Sequence, residues 1–404
     1  MIFSELRLEK IFPRGRIREV GLNFYEAEIA AAKGGRKTAG LLANPELSGS
    51  VGNKTVRGGG MRAEGVAWSV SVAQPFEWPG RLGLRKAIAN RDIELAQLGY
   101  ERFKVALDGR VRTLAYGLFA AQEKATATRE VADRFTALRE VLVQRDAAGL
   151  TPLLETRVIE ATELTMQRKA SDATLATQAA LLELNQLRGV APTAHLAVAF
   201  IHLTFRPAET LGTLTALAHA NNFELRLRAI ELSQQGFRVD LAKNERYPVI
   251  SLGPTISEES AGDRERIIGV GVSLPLPLWN RNRGNIETAV ARQMQAEVSL
   301  NVTAREIERK VIEAALVYKT KLREIAKWRP DSVEHFREAA ELADRHYRLG
   351  AVPISTYVEL QKQYLEAVES LLDTKREALE AAAGLELLTG LPLPLASTNG
   401  KETP

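Results

Sequence analysis

The alternation of apolar and polar positions separates the chain into long helical segments and short segments with a period of two. Through residues 80–147, apolar or small residues recur at spacings of three and four. This spacing is typical of a coiled-coil seam, so it predicts one long helix over that range. Gly149 and Pro152 then interrupt the pattern, and a return helix is predicted over 151–188.

The same plan recurs 201 residues further along the chain, which indicates a tandem duplication. The second half is predicted to contain a helix over 221–244, a long helix over 282–348 and a return helix over 353–389. Pro330 lies inside the second long helix and is expected to kink or split it, because proline cannot donate a backbone hydrogen bond. Residues matched at this offset include Trp78 with Trp279, Gly149 with Gly350, and Pro152 with Pro353.

A hairpin precedes each long helix, at 41–78 and at 247–279, with strands of about ten residues. The loops are placed at 52–64 and 257–266. In the second strand of each hairpin, the positions of the bulky residues differ by one residue between the two halves, so a bulge or an insertion is expected. In each strand, bulky residues alternate with Ser, Gly, Thr or Ala. The bulky residues assigned to one face are Val66, Trp68, Val70, Val72, Ile250, Leu252, Ile268, Val270, Val272 and Leu274.

Two environments account for strands of this kind. An antiparallel sheet that covers a soluble core alternates in the same way. A sheet that faces lipid also does, but four strands cannot close a barrel, and an open edge in hydrocarbon leaves backbone amides without partners. Three chains would supply twelve strands, which lies within the range of transmembrane barrels.

The fold class is therefore mainly α with a small β part, arranged as a duplicated strand-strand-helix-helix repeat. Residues 1–40 are assigned to an N-terminal helical segment, and residues 196–220 to a linker between the repeats. The repeats themselves cover 41–195 and 221–390. Gly, Pro and Asn dominate residues 391–404, which are expected to form a flexible tail.

Composition excludes several classes of function. The 404 residues include no cysteine, so disulfides, thiolate metal sites and cysteine nucleophiles are absent. A formal charge of +4 over this length gives no basis for a nucleic-acid partner. The longest apolar run, at 195–205, is shorter than the ~20 residues of a membrane-spanning helix. Enzyme motifs are missing and the five histidines are scattered, so we predict no enzyme, cofactor or metal site.

Three segments stand at the boundaries of the predicted elements: Gly40-Leu-Leu-Ala-Asn-Pro-Glu-Leu before the first strand, Gln74-Pro-Phe-Glu-Trp-Pro-Gly-Arg after the second, and Tyr347-Arg-Leu-Gly before the last helix. In their order and spacing they resemble the TolC-like outer-membrane efflux proteins. The resemblance implies a homotrimer with a twelve-stranded barrel in outer-membrane lipid and a tunnel of twelve helices in the periplasm. It also implies a passive conduit that docks on a periplasmic adaptor protein and an inner-membrane pump.

The residues of the first two segments are most similar to those of the branch that serves heavy-metal efflux pumps. Multidrug and type I secretion channels share the same architecture and are kept as alternatives. A soluble coiled-coil scaffold is the alternative from another class. The N-terminus carries charges where a secretory leader would be apolar, which taken literally indicates a cytoplasmic chain. Because the resemblance implies an outer-membrane protein with a periplasmic extension, we expect the true start to lie upstream of Met1.

The resemblance also implies two sets of working residues. The first set forms the helix turns where the adaptor docks, and it comprises Ala148, Gly149, Leu150, Thr151, Leu349, Gly350, Ala351 and Val352. Family members place acidic residues near this tip to narrow the tunnel entrance. The matching positions here are Glu155, Thr356 and Glu359, of which the second departs from the acidic pattern. A ring of carboxylates at a narrow mouth would favour cations.

Overall fold

The computed structural model describes residues 21–58, 61–146, 153–196, 203–329 and 331–398. The chain forms two compact units. The first, called here the helical unit, comprises Met1–Phe24, Tyr100–Phe223 and Arg305–Pro404. The second, called the sheet unit, comprises Tyr25–Gly99 and Glu224–Ala304.

Four strands of the sheet unit pair with one another: β1 (Glu46–Gly58), β2 (Met61–Phe76), β4 (Ile250–Ala261) and β5 (Asp263–Ser273). They form one antiparallel sheet in the order β1-β2-β4-β5. The prediction of loops at 52–64 and 257–266 was wrong, because both ranges are mostly strand. The apolar alternation stops before the strands do, while pairing continues through backbone groups that need no apolar side chain.

The two hairpins differ in length by an odd number of residues. Ser50 pairs with Ser69, whereas its counterpart in the second half, Ser251, pairs with Ser273. At the 201 offset the counterpart of Ser69 is Val270, three positions from Ser273. An odd difference exchanges the two faces of the second strand, so an insertion explains the facing shift expected from the sequence.

Gly253 allows β2 and β4 to approach closely. A Cβ atom at this position would lie 1.6 Å from the carbonyl oxygen of Val72. Pro254 follows and has no backbone N–H to donate. The paired register accordingly passes from Ser71–Thr255 to Gln74–Leu252. The sheet therefore requires glycine at position 253 rather than merely tolerating it.

The long helices agree with the periodicity. They are α1 (Asn23–Ala39), α2 (Arg81–Asp146), α3 (Leu153–Arg188), α5 (Phe223–Asn244), α6 (Arg283–Lys327), α7 (Ser332–Arg348) and α8 (Ile354–Thr389). The helix expected over 282–348 is divided into α6 and α7, as the proline predicted. Gly189 and Gly390 follow α3 and α8 with φ of 61° and 69°, the left-handed conformation that commonly ends a helix.

Three short elements were missed. Helix α4 (Leu211–Asn221) and strand β3 (Leu203–Phe205) lie in the segment that was expected to be a linker. Strand β6 (Ala396–Thr398) pairs with β3, so the expectation of a flexible tail was wrong for residues 391–398, and residues 399–404 lie outside the described part of the chain. These runs of three to eleven residues are too short for a periodic pattern to identify them.

One buried tyrosine anchors the two-stranded sheet of β3 and β6 within the helical unit. The hydroxyl of Tyr318 on α6 donates to the carbonyl oxygen of Arg206 at 2.6 Å, and the carbonyl oxygen of Leu395 lies 2.9 Å away. Burial raises the pKa of Tyr318 to about 12, so the hydroxyl keeps its proton at neutral pH. The residue after β3 and the residue before β6 are therefore fixed by a side chain distant in sequence.

Aromatic and aliphatic side chains form the core of the helical unit. Phe135 on α2 and Tyr357 on α8 are fully buried, with ring centroids 5.2 Å apart. Tyr347 on α7 stacks on Tyr357 at 5.4 Å. Ile159 on α3 belongs to the same cluster. The coiled-coil seam predicted from the sequence is thus a packed interior within this unit.

Candidate functional site

The sheet exposes one aliphatic face over most of its width. Register places Val70 opposite Ile256, and Ile256 opposite Ile268, so all three side chains share a face. Ile268 and Val270 are 72% and 76% exposed, although both are large apolar residues. Val66, Val72, Leu252, Val272 and Leu274 are also exposed, whereas Trp68 and Ile250 are half-buried. An exposed apolar surface of this extent marks an interaction site.

The opposite face is small and polar. Ser48 and Ser71 face each other with hydroxyl oxygens 2.7 Å apart, and Ser50 and Ser69 do so at 2.9 Å. Glycines and Thr255 continue this face across β4 and β5. The two faces therefore differ in the way that a wall between lipid and water requires.

Aromatic residues lie near both ends of the aliphatic face. Phe76 pairs with Ile250 at the end next to the helices, and Trp68 lies near the other end. From Val66 to Phe76 the strand rises about 33 Å, which at a tilt of roughly 40° spans about 25 Å. That height equals the apolar band of an outer-membrane barrel, and aromatic residues are typical of its two boundaries.

The last apolar residues after β5 contrast with their counterparts after β2. Trp78 stacks on Tyr247 with ring centroids 4.6 Å apart. Trp279, its counterpart in the second half, is 94% exposed, and Leu276 and Leu278 beside it are exposed as well. In the described sheet, β1 and β5 are the edge strands, each with a single neighbour. The second half thus lacks the contacts that the first half obtains from its own chain.

The turn between α7 and α8 closes with paired backbone bonds. The Gly350 N–H donates to Tyr347 O at 2.9 Å, and the Ala351 N–H donates to His346 O at 2.8 Å. Gly350 has a φ of 74°, which favours glycine. This is a Schellman ending, and it leaves Leu349 exposed at the turn. Val352 is half-buried there. The other predicted turn, at Ala148, Gly149, Leu150 and Thr151, lies outside the described residues.

The three residues assigned to a tunnel entrance have different surroundings. Glu155 on α3 is half-buried, and its Oε2 accepts a hydrogen bond from the Tyr347 hydroxyl at 3.3 Å. Glu359 on α8 is exposed and accepts from Gln363 at 2.9 Å. Thr356 is exposed one turn earlier, and both α8 residues line an open depression on the surface of the helix. The Glu359 carboxylate is therefore accessible, whereas the Glu155 carboxylate is held by a neutral hydroxyl donor.

The charged end of the sheet was missed by the sequence analysis. Glu258 is buried between Arg264 and Arg266, and Lys54 binds Glu259 at 2.6 Å. These residues fell in the ranges assigned to loops. The run Asp-Arg-Glu-Arg at 263–266, in which acidic and basic residues alternate, could have predicted the strand. Charges that alternate with a period of two indicate a strand in the same way as alternating apolar residues.

The described residues contain neither a membrane-spanning helix nor a cluster of side chains suited to a metal ion. Helices in this part of the chain lack the length and apolar character that crossing a membrane requires. Groups of three or more His, Asp or Glu side chains suited to holding a metal ion were not found there either.

Comparison with known proteins shows similarity to one family of outer-membrane proteins. The model of the outer membrane efflux protein family matches residues 214–391. Over that range the chain is similar to this family. The fold of the outer-membrane channel CmeC from Campylobacter jejuni covers 91% of this chain and 82% of that one, with a TM-score of 0.72 and 15% identity. A structure of CusC covers 92% of this chain and 89% of that one, with a TM-score of 0.70 and 13% identity.

Two proteins similar in sequence to this chain are resistance proteins. The cobalt-zinc-cadmium resistance protein CzcC of Cupriavidus metallidurans is 25% identical over 276 residues, or 67% of this chain and 62% of its own length. The nickel-cobalt-cadmium resistance protein NccC of Alcaligenes xylosoxydans xylosoxydans is 28% identical over 250 residues, or 58% of this chain and 53% of its own length. The match therefore spans less than two thirds of either relative.

Proposed function

We propose that this chain is the outer-membrane channel of a tripartite efflux system and acts as a passive conduit from the periplasm to the exterior. The observation that carries the proposal is the four-stranded sheet with an exposed aliphatic face, a small polar face and two open edges. Such a sheet is unstable in water because of its exposed apolar surface, and unstable in lipid because of its open edges. Joining other copies through the edges resolves both problems.

The proposed assembly is a homotrimer. Three sheets of four strands give a closed barrel of twelve, in which β5 of one copy pairs with β1 of the next. The exposed Trp279 supports this arrangement, since it follows the edge strand that would receive the next copy. We expect Trp279 to lose much of its exposure on assembly, as Trp78 is partly covered by Tyr247 within one chain and is 39% exposed.

The proposed cargo is a heavy-metal cation. The two resistance proteins similar to this chain are named for cobalt, zinc, nickel and cadmium. Threefold repetition would set Glu155 and Glu359 in rings, which concentrate cations without binding them tightly. A periplasmic adaptor is proposed to dock at the turn of Leu349 and Gly350, and an inner-membrane pump of the metal-exporting type would supply the cargo.

An expression experiment tests the channel and its cargo separately. The chain is fused to a secretory leader and produced with a metal-exporting pump and adaptor in cells that lack their own outer-membrane channel. We expect heat-modifiable trimers in the outer-membrane fraction and increased tolerance to cobalt, zinc and cadmium. A soluble monomer would contradict the channel. Trimers that raise tolerance to an organic drug but not to these metals would contradict the cargo alone.

A further inference from the structure

Beyond the aliphatic face, the free end of the sheet sorts its charges by face. The run 263–266 on β5 reads Asp-Arg-Glu-Arg, and neighbouring residues of a strand project to opposite sides. Arg264 and Arg266 therefore share the aliphatic face. Asp263 and Glu265 share the small polar face.

The two arginines on the aliphatic face hold one carboxylate between them. Glu258 Oε2 accepts from Arg266 Nε at 3.1 Å and from Arg266 Nη2 at 2.8 Å, while Oε1 lies 3.2 Å from Arg264 Nε. Glu258 itself is 8% exposed, whereas the arginine side chains are 73% and 63% exposed. Two cations share one anion, so the cluster has a net positive charge. Because each guanidinium has five N–H donors, most of them remain for another acceptor.

Register places this cluster at the boundary of the aliphatic face. Trp68 is opposite Glu258, and Glu258 is opposite Arg266. The row of Ile256 and Ile268 lies two residues, or about 7 Å, towards the helices. Tryptophan is characteristic of the boundary between hydrocarbon and headgroups. The arginines therefore lie at the level of the headgroups if the aliphatic face meets lipid.

The small polar face carries the opposite charge at the same level. Lys54 is neutralised by Glu259, and Glu265 lies opposite Glu259 in the register. With Asp263 added, this face has a net negative charge. The net charge is thus positive on the aliphatic face and negative on the small polar face, a separation that a general need for solubility at the hairpin ends does not explain.

We propose that Arg264 and Arg266 bind the phosphate groups of lipids in the outer leaflet of the outer membrane. The inference rests on the proposed channel function, which sets the aliphatic face in lipid and the free end of the sheet outwards. The planar, forked guanidinium matches phosphate geometry and forms charge-assisted hydrogen bonds with it. Glu258 orients the two guanidinium groups and limits their affinity, because it competes with phosphate for the same donors.

Binding of lipid A by the purified full-length trimer in detergent tests this site. The probe is lipid A with its phosphates intact, compared with the same lipid after phosphate removal and with inorganic phosphate. Binding is read by native mass spectrometry. We expect the intact lipid to bind at least about tenfold more tightly than the dephosphorylated lipid, and inorganic phosphate not to displace it. Equal binding of the two lipids, or displacement by inorganic phosphate, would overturn the proposal.

Variants on the two faces make the test specific. R264Q/R266Q is expected to weaken lipid A binding about tenfold or more. E258Q is expected to strengthen binding about threefold, because it removes the carboxylate that competes with phosphate for the arginine donors. The triple variant E258Q/R264Q/R266Q leaves no unpaired buried carboxylate and should bind as weakly as the double variant. K54Q removes a cation from the other face and is the matched control, with no change expected. Unchanged binding by the double and triple variants would overturn the proposal.

Failure of this inference is distinguishable from failure of the channel. Each variant is also tested for heat-modifiable trimers and for ion conductance in planar bilayers. A trimer that inserts and conducts but does not distinguish the two lipids contradicts the phosphate site alone. A chain that neither forms trimers nor inserts contradicts the proposed function on which the site rests.

Discussion

Apolar side chains have opposite placements in the two units of this chain. In the helical unit, Phe135, Ile159 and Tyr357 are fully buried, as in a water-soluble bundle. In the sheet unit, Ile268 and Val270 are largely exposed, and the small polar residues occupy the other face. The comparison teaches that one sequence is adapted to two solvents. The helical unit buries its apolar side chains away from water, and the exposed face of the sheet is consistent with the hydrophobic effect if that face meets lipid.

Truncating one isoleucine in each unit gives the largest expected contrast. Ile159→Ala leaves a cavity in the helical core and should lower the free energy of unfolding by about 2–5 kcal/mol. Ile268→Ala leaves no protein cavity, because the side chain is exposed in the chain, and should cost less than about 1.5 kcal/mol. Urea unfolding in detergent measures both. Similar losses for the two variants would remove the distinction between the units.

A lysine on either face of the sheet sharpens the comparison. Val270→Lys sets a charge against hydrocarbon and should destabilise the inserted chain by about 2–4 kcal/mol. Thr255→Lys sets the same charge on the small polar face, where water solvates it, and is the matched control. The fraction of heat-modifiable trimer in the outer membrane should fall for the first variant and not for the second. A reversed order would assign the faces the other way.

The smallest expected effects come from two glycines of the helical unit. Gly350→Ala forces a side chain into a φ of 74° and should cost about 1–2 kcal/mol at the turn. Gly384→Ala lies inside α8, where the new methyl group meets no atom within 4 Å, and should stabilise by about 0.5–1 kcal/mol. Thermal unfolding distinguishes the signs. A neutral Gly350→Ala variant would be inconsistent with the Schellman ending.

Sequence alone predicted the features that depend on long periodic patterns. The helices α2, α3, α6 and α8 and the alternating faces around Val70 and Val272 repeat one rule over many residues, so local errors average out. The break near Pro330 was predictable because proline acts locally. These features were enough to predict the fold class.

Features fixed by contacts distant in sequence were not predictable. Strands β3 and β6 have three residues each and depend on the hydroxyl of Tyr318, which no local pattern reveals. The strand ends around Glu258 and Arg266 are polar, so an apolar pattern ended too early. Glu155 was found by resemblance, but its bond to Tyr347 depends on how α3 and α7 pack.

Cysteine labelling along β2 tests the central claim most directly. The chain has no cysteine, so single substitutions report one site each. Four variants, Ser69→Cys, Val70→Cys, Ser71→Cys and Val72→Cys, are reconstituted in liposomes and treated with a water-soluble maleimide. The account predicts labelling at 69 and 71 and protection at 70 and 72. Equal labelling at all four positions, or protection at 69 and 71 with labelling at 70 and 72, would contradict a sheet whose aliphatic face meets lipid.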